Sequence, residues 1–392
     1  MVDRQGMLDR STTQRQTIVV CHNTSRYLWL HYEQVLRDLS KQYQRVVCVT
    51  PRDGDEGAFE EAGLVYEPIS IHQHGLNPLQ ETKFIWDLYR IYEKYKPHVV
   101  LNFSIKPCLY GSLAARLAGV RLIGNMVTGL GYVFLTKTPL AKAIRSMVTM
   151  WYRLVLRKQD LFFFQNPDDS ALFKQAGISR LCRSVTLPGT GIDTDHFYGR
   201  PEVPEKGKTR FLYIGRMLKD KGLKEYYLAA LSLKKSYPEI KVGLLGPLDR
   251  NPSAIHKDEI DQWHDEGTIE YLGETRDVRP YLLQSNVFVL PSYREGLPRS
   301  GLEAMSMGRP VITTDVPGCR ELVVDQENGY LIEARNVEQL AKAMEAFILK
   351  PALCNTMGAA SRKRCCAFFD VAFVSERILE RLTEPDQKIS DS

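Results

Sequence analysis

Short apolar runs rich in β-branched residues alternate with helix-length segments along almost the whole chain. Six runs lie before residue 190 and six lie after residue 209. Such alternation predicts parallel strands joined by crossover helices, because parallel neighbours need a long connection between them. The sequence therefore predicts an α/β fold, with strands at 17–23, 45–50, 97–104, 121–127, 160–166, 184–189, 210–215, 241–246, 268–273, 287–292, 310–315 and 329–333.

The chain is longer than one hydrophobic core usually supports. It has 392 residues, and a stretch rich in Pro, Gly and charge separates the two sets of runs. We predict two doubly wound, Rossmann-like domains whose ligands lie outside the carboxyl ends of the strands. The expected divisions are a disordered or unpacked tail at 1–16, an N-terminal domain at 17–198, a linker at 199–209, a C-terminal domain at 210–370, and a C-terminal helix and tail at 371–392 that cross back to the N-terminal domain.

Composition argues against several classes of protein. A formal charge of +5 over this length does not indicate a nucleic-acid partner. The eight cysteines include no C-x-x-C pair, which is typical of reduced, mostly buried thiols in a cytoplasmic protein and offers no metal-ligand spacing. No apolar run is long enough to span a membrane, and no G-x-G-x-x-G follows the first strand of either half, which argues against a dehydrogenase.

The strand predicted at 210–215 ends in a glycine that is followed by basic residues. Gly215, Arg216 and Lys221 lie just before a predicted helix. The N-terminus of a helix has free N–H groups and partial positive charge, so two added cations would favour an anion such as a diphosphate. The alternative is an exposed turn with solvated basic side chains.

Two glutamates stand eight positions apart after the strand predicted at 287–292. A carboxylate accepts two hydrogen bonds, so Glu303 suits the two hydroxyls of a ribose, and Glu295 lies in the preceding loop. The alternative is local, because Ser300 and Glu303 have the spacing of a capping box at a helix start. Glu295 has no such helical role.

The motifs "GRMLKDKG" (215–222) and "VFVLPSYREGLPRSGLEAMSMGRPVITTDVPGCREL" (287–322) resemble those of the family 4 glycosyltransferases. The segments "NTSRYLW" (23–29), "IKPCLYGSLAARLAGV" (105–120), "TGLGYVF" (128–134), "FFFQNPDD" (162–169) and "LPGTGIDTDHF" (187–197) extend the resemblance over most of the chain, towards members that build bacterial surface polysaccharides or glycan carriers. The resemblance implies a GT-B fold, in which two Rossmann-like domains face a central cleft.

The resemblance also implies roles for individual residues. Arg216 and Lys221 would bind the donor diphosphate and stabilise charge on the departing nucleotide. Glu303 would hold the ribose, and Glu295 the hydroxyls of the donor sugar. Catalysis is then assigned to Glu295, Arg216 and Lys221, and no metal or other cofactor is expected. The donor site as a whole comprises Gly215, Arg216, Lys221, Glu295, Gly296, Leu297 and Glu303.

Two departures from the family pattern affect the acceptor and sugar side. Many members have a histidine after the strand predicted at 97–104, where this chain has Ser104 and Lys106. Lys106 either supplies a positive charge there or flanks a helix that begins near Pro107. Members with the "NTSxYL" motif often continue with a Phe-Arg pair, whereas this chain has His31 and Tyr32, so a contact to the acceptor phosphate is expected to have moved or been lost.

Two further features complete the predicted cleft, a residue on the acceptor or sugar side and a loop that faces the donor. Asn23 follows the first strand and is assigned to the acceptor or sugar side with Ser104 and Lys106. The loop "TGLGYVF" is expected in the cleft because its glycines allow backbone to approach a ligand, and the alternative is a plain strand-to-helix turn. Its assigned residues are Thr128, Gly129 and Gly131.

A basic helix is predicted after that loop. Residues 137–158 contain six basic and no acidic side chains. An apolar stripe is expected to cover the sheet, formed by Leu140, Ile144, Met147, Val148, Trp151, Leu154 and Val155. The basic face would attract anionic lipid head groups or the diphosphate of a polyprenyl carrier. The assigned patch is Lys137, Lys142, Arg145 and Arg153.

Together with these features, the resemblance implies a retaining glycosyltransferase. It would move a hexose or N-acetylhexosamine from a nucleotide sugar, with UDP preferred, to a polyprenyl-diphosphate-linked saccharide in bacterial surface glycan assembly. The predicted partners are this donor, this acceptor and an anionic membrane surface, and the predicted location is the inner face of the cytoplasmic membrane. Two alternatives stay open, a nucleotide-sugar 2-epimerase and a noncatalytic protein that binds sugar nucleotides.

Overall fold

A computed structural model describes residues 15–71, 77–128, 139–199, 204–249 and 253–383. The described chain contains two parallel sheets, one in each half, and helices cover both sheets. The fold predicted from the alternation of apolar runs is therefore confirmed.

The N-terminal sheet has seven strands in the order β3-β2-β1-β4-β5-β6-β7. The strands are β1 Arg15–Cys21, β2 Tyr43–Thr50, β3 Val65–Pro68, β4 Val99–Phe103, β5 Leu122–Val127, β6 Leu161–Phe164 and β7 Arg183–Thr186. The helices are α1 Ser25–Gln42, α2 Gly57–Glu61, α3 Pro78–Tyr95, α4 Ser112–Leu117, α5 Pro139–Val155 and α6 Pro167–Gln175. A short π-helical segment, Pro107–Gly111, leads into α4.

The C-terminal sheet has six strands in the order β10-β9-β8-β11-β12-β13. The strands are β8 Arg210–Ile214, β9 Lys241–Leu245, β10 Glu270–Tyr271, β11 Val287–Leu290, β12 Val311–Thr314 and β13 Gly329–Ile332. The helices are α7 Leu223–Lys234, α8 Lys257–Asp265, α9 Arg279–Gln284, α10 Arg299–Ser306, α11 Val337–Leu349, α12 Ala352–Phe368 and α13 Val371–Thr383.

The central strands are apolar because helices bury both of their faces. All five residues of β4 and all four of β6 are buried, as is usual for parallel strands inside an α/β domain. The strand β3 escaped the sequence prediction. Its four residues include Glu67 and Pro68, and it forms an edge of the sheet, where polar residues and proline are tolerated.

The C-terminal helix α13 packs against the N-terminal domain. Val374, Ile378 and Leu382 are buried in the same core as residues of α1 and the N-terminal sheet. Ser375 Oγ also donates a hydrogen bond of 2.7 Å to Asp38 Oδ2 of α1. The last described helix thus ties the two halves of the chain together.

Each sheet has a point at which the strand order reverses. In the N-terminal sheet it lies between β1 and β4, and in the C-terminal sheet between β8 and β11. Chain segments that leave the carboxyl ends of two such strands diverge to opposite faces and leave a crevice between them. Both crevices are therefore the places where a ligand site is expected.

Candidate functional site

A cleft of about 770 Å³ lies between the two domains. On the N-terminal side it is lined by the first half of α1, which follows the carboxyl end of β1. On the C-terminal side it is lined by loops that follow β8, β9 and β10, and by α10. Of the predicted donor residues, the cleft brings together Gly215, Arg216 and Glu303.

Arg216 follows β8 and extends towards this cleft. Its guanidinium is about half exposed, and its Nη1 lies 3.1 Å from Asp249 Oδ2. An exposed ion pair of this kind contributes little to stability, so the guanidinium can exchange this partner for an anionic ligand at small cost.

Lys221 and Glu295 form a salt bridge between the loops that follow β8 and β11. Lys221 Nζ lies 2.6 Å from Glu295 Oε1, and Ser292 Oγ donates to the same oxygen at 2.7 Å. Gly222 allows this approach: its φ is +71°, and a Cβ there would lie 2.1 Å from Pro291 O. The side chains of Lys221 and Glu295 are only 16% and 14% exposed, so each charge is stabilised mainly by the other.

Glu303 lies inside the first turns of α10 and faces the cleft. The capping-box alternative is wrong, because α10 begins at Arg299, its N-cap position is Pro298, and no side chain caps it. Instead, Arg299 Nε lies 3.0 Å from Glu303 Oε1. Burial raises the pKa of Glu303, and the charge of Arg299 opposes that increase.

Tyr213 lies close to both the cleft residues and the Lys221–Glu295 pair. Its hydroxyl donates to Arg216 O at 3.0 Å. Burial raises the pKa of Tyr213 well above its usual value, and the negative charge of Glu295 raises it further. Of the four predicted charged residues, Arg216 and Glu303 line the cleft, whereas Lys221 and Glu295, which pair with each other in the loops after β8 and β11, are outside its lining. Within the described ranges, no three His, Cys, Asp or Glu side chains gather as a metal site requires.

Two family models match the chain, one over each half. The model described as "Glycosyl transferase 4-like" matches residues 18–166, and the one described as "Glycosyl transferases group 1" matches residues 198–364. The chain is a family 4 glycosyltransferase. The second match includes every residue of the predicted donor site.

Named relatives resemble this glycosyltransferase over most of their length. The N,N'-diacetylbacillosaminyl-diphospho-undecaprenol alpha-1,3-N-acetylgalactosaminyltransferase of Campylobacter jejuni is 25% identical over 327 residues, which is 80% of this chain and 84% of the relative. The UDP-Gal:alpha-D-GlcNAc-diphosphoundecaprenol alpha-1,3-galactosyltransferase of Escherichia coli is 26% identical over 279 residues, which is 68% of this chain and 70% of the relative.

Solved structures support the GT-B fold of the glycosyltransferase. Anabaena Alr3699/HepE in complex with UDP-glucose superimposes with a TM-score of 0.74 at 16% identity, over 94% of this chain and 99% of that one. At this identity the likeness concerns the fold alone.

The residues predicted for the acceptor or sugar side lie at the β1/β4 crevice of the glycosyltransferase. Ser104 Oγ donates to Asn23 Oδ1 at 3.0 Å. Ser104 has a φ of +74°, which is uncommon for a residue with a side chain and is typical of functional sites. Lys106 Nζ lies 2.5 Å from Glu81 Oε1 of α3, and both side chains are mostly buried. The positive charge of Lys106, directly before the π-helical segment, is therefore paired with Glu81.

The predicted cleft loop is only partly described. Thr128 follows β5 and lies against the C-terminal domain, because a Cβ at Gly296 would be 2.7 Å from Thr128 O. Gly129 and Gly131 lie outside the described residues. Leu297 is buried beside Gly189, so the Gly296–Leu297 part of the donor site faces the N-terminal domain.

Two histidines near the cleft were missed as site residues. His22 directly follows β1, and its Nδ1 accepts a hydrogen bond of 2.9 Å from Thr24 N–H. Its position directly after a central strand indicates a candidate site residue, because ligands lie outside the carboxyl ends of such strands. His31 lines the cleft on α1, and its pKa is lowered by burial and then by the charge of Arg299. Only the tertiary structure brings His31 and Arg299 together.

The basic helix α5 is rotated relative to the prediction. Met147 and Leu154 were expected to face the sheet, but both are exposed. The aromatic side chains set the rotation: Tyr152 packs edge-on against Phe162 at 5.3 Å, and Trp151 Nε1 donates to Leu109 O at 3.1 Å. Of the predicted basic patch, Arg153 is exposed, Arg145 is half-buried, Lys142 lies in α5, and Lys137 lies outside the described residues.

We predict that His22 makes the stability of the glycosyltransferase depend on pH. Burial lowers the pKa of His22 to about 4, whereas an unfolded chain keeps it near 6.5. Between these values the unfolded state binds more protons, so the free energy of unfolding falls as the pH falls. A shift of this size corresponds to about 3 kcal/mol.

Urea denaturation of the wild type and of His22→Gln at several pH values measures this effect. Between pH 6.5 and pH 4 the variant should lose about 3 kcal/mol less unfolding free energy than the wild type. Parallel pH dependence of the two proteins would contradict the assignment.

Proposed function

We propose that the enzyme is a retaining glycosyltransferase that moves a hexose or N-acetylhexosamine from a UDP-linked donor to a polyprenyl-diphosphate-linked saccharide in bacterial surface glycan assembly. The observation that carries the proposal is the placement of cations and carboxylates after β8 and β11: Arg216 and Glu303 line the cleft, and Lys221 forms a salt bridge with Glu295. The names of two relatives, which give diphospho-undecaprenol-linked acceptors and in one case a UDP-linked donor, support the same substrate classes.

In this proposal, two cations stabilise the leaving diphosphate. The Arg216 guanidinium and the Lys221 ammonium oppose the negative charge that develops on the nucleotide as the bond to the sugar breaks. Preorganised charges of this kind can perform the work that a divalent ion performs elsewhere, so the proposal requires neither a metal nor another cofactor.

The Lys221–Glu295 salt bridge is the contact that the donor would rearrange. When Lys221 turns to the diphosphate, Glu295 Oε1 loses its charged partner and can accept a hydrogen bond from a sugar hydroxyl. Without donor, Lys221 and Glu295 neutralise each other. With donor bound, Lys221 contacts the diphosphate and Glu295 contacts the sugar.

In the proposal, Glu303 holds the ribose. Arg299 occupies one of its carboxylate oxygens, at 3.0 Å, and favours the ionised form that accepts hydrogen bonds. The acceptor then approaches from the N-terminal domain, and closure of the two walls of the cleft excludes the water that would otherwise hydrolyse the donor.

Two alternatives make different demands on the same residues. A 2-epimerase would convert the donor without any acceptor, whereas a transferase would leave most of it intact. A noncatalytic sensor would bind the nucleotide through Arg216, Lys221 and Glu303 and would tolerate loss of Glu295. Assays of donor alone, and of the Glu295 variant below, separate these alternatives from transfer.

We predict that Glu295→Ala lowers the rate of sugar transfer by about a hundredfold or more, because the donor sugar loses its orientation. The affinity for UDP should not fall, since UDP lacks the sugar that Glu295 holds and the variant leaves Lys221 without this carboxylate partner. Transfer to synthetic polyprenyl-diphosphate sugars measures the first quantity, and calorimetric titration with UDP measures the second.

Glu338→Ala is the matched control for this variant. Glu338 lies in the same domain, is exposed and pairs with Lys342 on the surface of α11. Its replacement should change neither quantity. Wild-type transfer by Glu295→Ala would contradict the role assigned to this carboxylate.

The proposal also places the enzyme on the inner face of the cytoplasmic membrane, where polyprenyl-linked acceptors lie. Among the described residues, no helix combines the length and apolar content that crossing a membrane requires. Attachment is assigned to α5, where Met147, Met150 and Leu154 are 56%, 59% and 78% exposed. Their spacing puts them on one face of the helix. Arg153 and Arg157 are exposed beside them, which is typical of an interfacial helix on anionic lipid.

We predict that replacing Met147, Met150 and Leu154 by Ser weakens binding to phosphatidylglycerol vesicles by more than about tenfold at low salt, because each buried side chain contributes about 1.5 kcal/mol or more. Co-sedimentation measures the effect. Leu283→Ser with Leu349→Ser, two exposed leucines of the C-terminal domain, is the control and should bind as the wild type does. A wild type that ignores these vesicles would refute membrane attachment through α5.

A further inference from the structure

The loop that carries Glu295 is held from two sides. We call residues 294–297 the sugar loop. On the C-terminal side, Glu295 N–H donates to Pro317 O at 3.0 Å. On the other side, Asn166 Nδ2 of the N-terminal domain donates to Gly296 O at 2.7 Å. The backbone of this loop is therefore fixed by both domains.

The contact across the domains is close enough to exclude any side chain at Gly296. A Cβ at this position would lie 2.6 Å from Gln165 Oε1 and 2.7 Å from Thr128 O. Real Cβ atoms essentially never approach other heavy atoms so closely. The backbone of the sugar loop is thus in close contact with the backbone that follows β5 and with side chains of the segment that follows β6.

Two ion pairs reinforce this contact. Arg294, the first residue of the sugar loop, pairs with Asp169 of α6, whose side chain is 1% exposed. The pKa of Asp169 is raised by burial, and the charge of Arg294 opposes that increase. Beside this pair, Arg320 Nη1 lies 3.3 Å from Asp168 Oδ2. Two consecutive carboxylates at the start of α6 therefore bind two arginines of the C-terminal domain.

Asn166 couples the start of α6 to the sugar loop. Its Oδ1 accepts a hydrogen bond of 2.8 Å from Asp169 N–H, which caps α6, while its Nδ2 donates to Gly296 O. One side chain thus sets both the first turn of the helix and the position of the loop opposite it.

We infer that Asn166 and Asp169 are positioning residues for sugar transfer. They act through the sugar loop, which they hold so that Glu295 faces the donor sugar only when the two domains are in contact. The inference rests on the proposed function, because it assumes that Glu295 holds the donor sugar. In the proposed function the nucleotide lies on the C-terminal domain, so its binding should not require these two residues.

The variants Asn166→Asp and Asp169→Asn test this inference. Asp is as good an N-cap as Asn, so Asn166→Asp keeps the cap of α6, while it replaces the donor to Gly296 O by a carboxylate oxygen and adds a negative charge at a buried position. Asp169→Asn keeps the shape of the side chain and removes the charge opposite Arg294. Each variant should lower kcat by about tenfold to a hundredfold, with KM for the donor and UDP affinity within about twofold of the wild type.

Asn77→Asp is the matched control. Asn77 caps α3 in the same way, with Oδ1 accepting from Leu79 N–H at 3.1 Å, but this cap is exposed on the surface. Its replacement should leave kcat unchanged. The melting temperature of Asn77→Asp should stay within about 3 °C of the wild type, because it keeps a capping oxygen. Asn166→Asp also buries an added charge, so its UDP affinity, and not its melting temperature, reports whether the C-terminal domain is folded.

The outcomes separate this inference from the proposed function. If Asn166→Asp and Asp169→Asn bind UDP and transfer sugar at the wild-type rate, the inference is wrong and the proposed function stands. If they lose UDP affinity as much as they lose kcat, the contacts support nucleotide binding and the inference is again wrong. If the wild type itself does not bind UDP, the proposed function fails first.

Discussion

The candidate donor site can form because every described strand pair in both sheets runs parallel. Parallel strands release all of their following loops at one edge, so residues far apart in sequence meet there. Lys221 and Glu295 are 74 positions apart and form a salt bridge because β8 and β11 are neighbours that end at the same edge. An antiparallel neighbour would send one of these loops to the opposite edge and would separate the charges.

The charges at this edge are balanced locally. Lys221 faces Glu295, Arg299 faces Glu303, and Arg216 faces Asp249. An unpaired charge in a mostly buried site costs several kcal/mol, so Lys221 and Arg299 are kept beside carboxylates, whereas the exposed Arg216–Asp249 pair contributes little. A diphosphate donor can replace a carboxylate as the partner of a cation without leaving that cation bare. In the proposed mechanism, the site therefore moves between two neutralised states.

The sequence predicted the architecture well because burial on both faces makes each strand a continuous apolar run. It also indicated the charged residues, since they directly follow such runs. What it could not predict depends on contacts between distant elements. The rotation of α5 follows from the packing of Tyr152 and Trp151, and not from its apolar periodicity. The contacts of Asn166 and Asp169 with the sugar loop require that both domains be in place.

In the proposed function, a sugar nucleotide binds at the carboxyl edge of the C-terminal sheet. Amide hydrogen exchange with and without UDP tests it most directly, because bound ligand slows local opening of the backbone that it contacts. We predict that UDP slows exchange in 215–222 and 294–303 and leaves exchange unchanged in 238–242, at the opposite edge of the same sheet. Protection at 238–242 with none at 215–222 or 294–303 would contradict it.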